Sequence, residues 1–132
     1  MRGAGVNQIE EKSVLIIDDD VDIREFIATA LSEFGFITYT AEDGLAGLTS
    51  FQSNSIDMVI TDIYMPKMNG IELIQKLHRM NPDVKILAMS GDARNYNHEA
   101  LNWAEAAGAF EVIDKPFELT QLIEMINMML SE

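Results

Sequence analysis

The chain has no cysteine, which excludes disulfides, thiolate metal sites and thiol nucleophiles. Cations are scarce: nine Lys and Arg stand against 22 Asp and Glu, for a formal net charge of −13. A surface of that sign repels phosphate backbones and anionic lipid, so neither nucleic acid nor a membrane is expected as a direct partner. No apolar run comes near the roughly 20 residues of a spanning helix. The first dozen residues also lack the apolar stretch of a signal peptide. A cytoplasmic setting is therefore expected. The polar, Gly-containing residues 1–11 read as a disordered lead or a cloning remnant, and residues 12–132 as one domain. With 48% hydrophobic residues, a domain of that size can bury a true core.

What is present alternates. Residues 14–17 form a continuous, β-branched-rich run, as expected of a strand buried on both faces. A helical stripe of Ile23, Phe26, Ile27, Ala30, Leu31 and Phe34 follows, with Gly35 placed as a helix stop. Residues 37–41 read as a second strand, and Asp43 as the cap of a short helix through about residue 52. Strand 58–61 ends directly at Asp62, helix 71–80 is closed by Asn81-Pro82, and strand 85–89 ends at Ser90-Gly91. A less regular helix over 97–107 stops at Gly108. Strand 110–114 runs into Lys115-Pro116. A last helix from about Glu118 carries the stripe Leu119, Leu122, Ile123, Ile126 and Leu130. Five strand–helix alternations imply a parallel sheet covered by helices on both faces.

Ligand sites of such sheets lie outside the carboxyl ends of the strands. There the chain places Asp18, Asp19 and Asp20, then Asp62, then Ser90, then Lys115. Clustered carboxylates favour a cation between them, and Mg²⁺ takes carboxylates together with waters and phosphate oxygens. A carboxylate screened by a metal is a competent phosphoryl acceptor. An ammonium and a hydroxyl can then hold the new phosphoryl oxygens. Singly, each residue has a plainer reading: Asp18 to Asp20 as helix caps, Asp62 and Pro66 with Asn69-Gly70 as turn chemistry. The agreement of four strand ends favours the functional one.

The stretches VLIIDDD (14–20), TDIYMPKMNG (61–70), AMSGD (88–92) and DKPF (114–117) resemble the receiver domain of two-component response regulators, from about Lys12 to the end of the chain. The resemblance implies a flavodoxin-like, doubly wound α/β fold with a five-stranded parallel sheet in order 2-1-3-4-5. A chemotaxis receiver is the standing example of that order. The resemblance also implies Asp62 as phosphoacceptor, with Mg²⁺ or Mn²⁺ as the cofactor. The metal would be held by Asp19, Asp62 and the Tyr64 backbone carbonyl, with Asp18 acting through a water. It further implies Ser90 as the switch hydroxyl, Lys115 as the phosphate contact and a cis Lys115-Pro116 bond. The donor would be a histidine kinase or histidine phosphotransfer protein, and the output an unidentified protein. Such a domain is no enzyme in the ordinary sense, although it assists its own phosphorylation and dephosphorylation.

Two features depart from the family. Receivers usually carry Tyr or Phe three residues before the lysine, where this chain has Val112; Phe110 shares that face but lies too far back to replace it. The stretch from Ser90 to Lys115 is also about three residues longer than is common, around residues 93–98. Trp103 beside the Ala100/Ala104/Ala107 stripe is expected to pack partly on the core, with a partner-facing position as the alternative. Met125 and Met128 fall away from the last helix's stripe and would make an exposed patch for an output partner or a weak homodimer. His78 and His98 have no partner at ligand spacing and read as surface residues. Two rival functions remain. One is a constitutive, receiver-like interaction module. The other is an aspartate-nucleophile phosphatase, which needs a second acid where this chain has Tyr64.

Overall fold

The computed structural model describes residues 11–65, 67–90 and 98–131, and the side chains of all of these but 98–101. Residues 1–10 of the expected lead and 93–97 of the lengthened stretch lie outside the described residues. Ten elements alternate: β1 (Ser13–Ile17), α1 (Val21–Glu33), β2 (Ile37–Ala41), α2 (Gly44–Ser53), β3 (Met58–Asp62), α3 (Gly70–Met80), β4 (Lys85–Ser90), α4 (His98–Ala107), β5 (Glu111–Asp114) and α5 (Leu119–Leu130). All strand pairs are parallel, in the order β2-β1-β3-β4-β5. The expected flavodoxin-like topology is the observed one.

The continuous apolar runs follow from two covered faces. Leu15, Ile17, Val59, Ile86 and Ala88 pack on one side with Leu73, Ile74 and Leu77 of α3 and Ala104 of α4. Val14, Ile16, Met58, Ile60, Leu87 and Met89 pack on the other with Ile27 and Leu31 of α1 and Leu122, Ile123 and Ile126 of α5. Each fully buried Leu or Ile contributes about 1.5–3 kcal/mol. β2 is an edge strand and half-exposed, which explains its weaker pattern. Asp20, Asp43 and Asn69 cap α1, α2 and α3 through their side-chain oxygens. Gly35 takes the positive φ (97°) that ends α1 and suits glycine. Among the described residues, no helix is long and apolar enough to cross a membrane.

Four expectations about side chains need correction. Phe26 and Phe34 are 55% and 61% exposed. Phe26 stands about 100° round the helix from Ile27, and Phe34 is the C-cap beyond the last turn. Trp103 is 55% exposed because its neighbour Ala104 takes the core position. Met125 is half-buried in the α1/α5 cluster, since it lies one turn on from Leu122 and shares its face; only Met128 is exposed as expected. His78 is no free surface residue. It packs so closely on Gly108 that a Cβ there would lie 2.9 Å from His78 Cγ, and its Nδ1 is buried without a hydrogen bond.

Candidate functional site

In a parallel sheet every strand delivers its carboxyl end to the same edge. Register fixes the neighbours there: Ile17 pairs with Thr61, Asp62 with Met89 and Ser90 with Asp114. Asp18 therefore follows β1, Asp62 closes β3, Ser90 closes β4, and Lys115 follows β5. The Lys115 amide donates to the Ser90 carbonyl at 2.9 Å, and the Ile63 amide to the Met89 carbonyl at 2.9 Å. These main-chain bonds bring the last three ends together. Lys115-Pro116 is cis, as the resemblance implied.

Asp18 is fully buried and fully engaged. Its Oδ1 accepts the Asp20 amide at 2.9 Å, its Oδ2 accepts Lys115 Nζ at 2.8 Å, and its carbonyl accepts Arg24 Nη1 at 2.7 Å. Asp62 is buried too; its Oδ1 accepts the Tyr64 amide at 3.2 Å and its Oδ2 accepts Lys115 Nζ at 3.2 Å. Asp19 faces solvent. One carboxylate oxygen from each of Asp18, Asp19 and Asp62 lies within 4.8 Å of the others.

The electrostatics are unbalanced. Burial, and secondarily the Asp18 charge, push the Asp62 carboxyl above its ordinary pKa, against the opposing pull of Lys115 and the Tyr64 N–H. Burial alone would lower the Lys115 ammonium, but the Asp18 hydrogen bond and the charges of Asp62 and Asp18 outweigh it, so its pKa is raised. Two buried carboxylates thus share one ammonium, with the exposed Asp19 carboxylate beside them. An all-oxygen, anionic donor set of this kind fits a hard divalent cation, which would relieve the repulsion.

The structure therefore brings together Asp18, Asp19, Asp62, Lys115 and the Tyr64 main chain, with Ser90 on the adjoining strand. Val112 pairs with Ala88 and is half-buried against the α2–α4 cluster. Phe110 lies before β5, exposed, with Lys85 Nζ 4.6 Å from its ring centroid, so it does not reach the strand end.

Four residues that sequence reasoning left without a site role support the cluster. Asp20 caps α1 by accepting the Asp22 and Ile23 amides. Arg24 holds the acidic turn from below, through a main-chain carbonyl that no motif announces. The turn after Asp62 closes where the Gly70 amide donates to the Ile63 carbonyl at 2.7 Å. A Cβ at Gly70 would lie 2.5 Å from Ile63 Cα and overlap the Asp62 carbonyl oxygen. In the same turn Lys67, at φ 74°, reaches Asp43 Oδ2 at 3.5 Å. Asp43 is held below its ordinary pKa chiefly by the Ala46 amide, and further by Lys67, against its burial.

Residues 14–127 match the family model for the response regulator receiver domain. The chain is 34% identical over 120 residues to the response regulator receiver protein CpdR of Brucella abortus, covering 90% of this chain and 97% of that one. It is 34% identical over 115 residues to the DNA-binding transcriptional regulator NtrC of Azospirillum brasilense, but spans only 23% of that protein's length. Among solved structures, a receiver domain protein from Methanospirillum hungatei superposes with a TM-score of 0.87 at 30% identity, covering 92% of this chain and 95% of that one. The chemotaxis protein CheY4 of Vibrio cholerae gives 0.83 at 26% identity, over 91% and 99%.

Proposed function

Because the chain belongs to the response regulator receiver family, whose domains are phosphorylation-state switches, we propose that Asp62 is its phosphoacceptor and Mg²⁺, replaceable by Mn²⁺, its cation. The observation that carries this is the setting of one carboxylate. Asp62 is buried at a strand end, with one oxygen held by the Tyr64 N–H and the other facing the Lys115 ammonium.

The donor on this reading is a phosphohistidine of a kinase or phosphotransfer protein. An Asp62 oxygen attacks phosphorus, the O–P bond forms as the N–P bond breaks, and the departing imidazole takes a proton from water. Lys115 trades its hydrogen bond to Asp62 Oδ2 for a phosphoryl oxygen while keeping Asp18. Ser90 offers its hydroxyl to a second phosphoryl oxygen. The Tyr64 N–H keeps the attacked carboxylate oriented. A cation held by Asp19, Asp62 and the Tyr64 carbonyl, with Asp18 acting through water, would screen the charge between carboxylate and phosphoryl group.

Output passes by contact with another protein in the cytoplasm. With Val112 in place of an aromatic, the relay depends on Ser90 and the turn that follows β3 rather than on a ring changing rotamer. Val112 is also what would favour a constitutive module. Trapping separates the two. Acetyl phosphate with Mg²⁺, then borohydride, converts an aspartyl phosphate to homoserine, and peptide mapping should find it at position 62. Homoserine at another carboxylate would reassign the acceptor, and none at all would leave the constitutive module.

A further inference from the structure

We propose that the groove between α3 and α4, beside the acid cluster, docks a basic segment of a partner protein, an arginine or lysine flanked by an apolar residue. The groove is about 390 Å³ in volume. Ile63 and Ile71 supply its apolar lining together with the Tyr64 and Trp103 rings, and Glu72 and Gln75 its polar one. That is near the lower end of the range for ligand clefts, about 300–1,000 Å³.

Two observations select the occupant. The first is aromatic exposure. Trp103 is the chain's one tryptophan and is more than half exposed, and Tyr64 across from it is 39% exposed. Such rings bury about 150–250 Å² each when covered and attract cations to their faces. The second is charge. Glu72 is exposed and makes no ion pair among the described residues, and no described cation lines the groove. Lys76, one turn further along α3, is not part of the lining. The lining includes Tyr64, whose amide is bonded to Asp62 of the acid cluster. A cation beside two aromatic rings and a carboxylate is therefore the complementary group. An acidic partner, an anionic lipid or a second copy of this −13 chain would meet like charge.

Tyr64 and Ile63 belong both to the groove and to the turn after Asp62. Any change in the Tyr64–Asp62 hydrogen bond on phosphorylation is then felt at the groove's rim. This coupling rests on Asp62 being the acceptor; the docking does not.

The test titrates the full chain with the capped peptide Leu-Arg-Leu-Arg, followed by calorimetry and Trp103 fluorescence, with Leu-Glu-Leu-Glu as control. Saturable binding of the basic peptide alone is expected. Affinity should fall about three- to fivefold in Glu72→Gln and in Trp103→Ala, read by calorimetry. It should hold within about twofold in Trp103→Phe and in Glu33→Gln, a remote acid on α1. Both changed side chains are exposed, and circular dichroism confirms that the variants fold. Equal losses in Glu33→Gln would mean diffuse attraction to an acidic surface and overturn the proposal. So would binding of the acidic peptide, or dimerisation abolished by Trp103→Ala with no peptide effect. After acetyl phosphate and Mg²⁺, with phosphorylation verified by mass, a peptide affinity changed at least threefold supports the coupling. An unchanged one removes the coupling alone.

Discussion

Lys115 Nζ donates to Asp62 Oδ2 at 3.2 Å, while the same ammonium sits 2.8 Å from Asp18 Oδ2. All three side chains are nearly buried, so this one cation offsets two carboxylates that water barely reaches. Removing it leaves both acids unpaired. Lys115→Ala should lower stability by about 3 kcal/mol in chelator at neutral pH, read by urea unfolding, and added Mg²⁺ should restore part of it. The pH sign follows from the raised lysine pKa. Its contribution is complete below the ordinary value of 10.5 and is lost as pH rises through the elevated folded value. Wild-type stability should therefore fall by more than that of Lys115→Ala as pH rises above 10.5.

Asp62 carries the opposite stress. Burial and the neighbouring Asp18 charge raise its pKa, so the folded state holds that proton more tightly than the unfolded chain. The ionised carboxylate therefore lowers stability above its folded pKa, and the penalty fades as pH falls toward the ordinary 3.8. In chelator, Asp62→Asn should melt higher than wild type by roughly 4 °C, about 1 kcal/mol. The gap should narrow on acidification and on adding Mg²⁺, which stabilises only the chain that binds it.

Gly70 is fixed by contact. Its missing Cβ leaves room for the Asp62 carbonyl and Ile63 Cα, so Gly70→Ala must push the β3–α3 turn away from the acid cluster. The expected loss is about 1–3 kcal/mol of stability. Mg²⁺ affinity should weaken as well, because the Tyr64 main chain moves with the turn; thermal shift against Mg²⁺ concentration reads both.

On α1, the exposure of Phe26 and the burial of Leu31 separate two residues that spacing alone put on one stripe. Leu31→Ala should lose about 2–5 kcal/mol, and Phe26→Ala no more than about 0.5 kcal/mol, by denaturant unfolding.

The sheet and its order were legible because β1, β3 and β4 are buried on both faces and read as unbroken apolar runs. Each then stops at a residue of the candidate site: Asp18, Asp62 and Ser90. Helical faces were less legible. Periodicity finds a stripe but does not centre it, and which flank meets the sheet is decided by packing. Phe26 therefore turned out and Met125 turned in, and Ala104 displaced Trp103 from the core. Arg24 left no trace, and Gly70 only a turn signal and a motif position, because their partners are main-chain atoms. The groove needed α3 and α4 side by side, a relation that neither helix records.

The most direct measurement is the intact mass of the full chain after acetyl phosphate and Mg²⁺. Wild type should gain one phosphoryl increment that disappears in chelator and is absent from Asp62→Asn. An increment of equal size in Asp62→Asn, or none in wild type with Mg²⁺ present, would contradict the assignment of Asp62 as the acceptor.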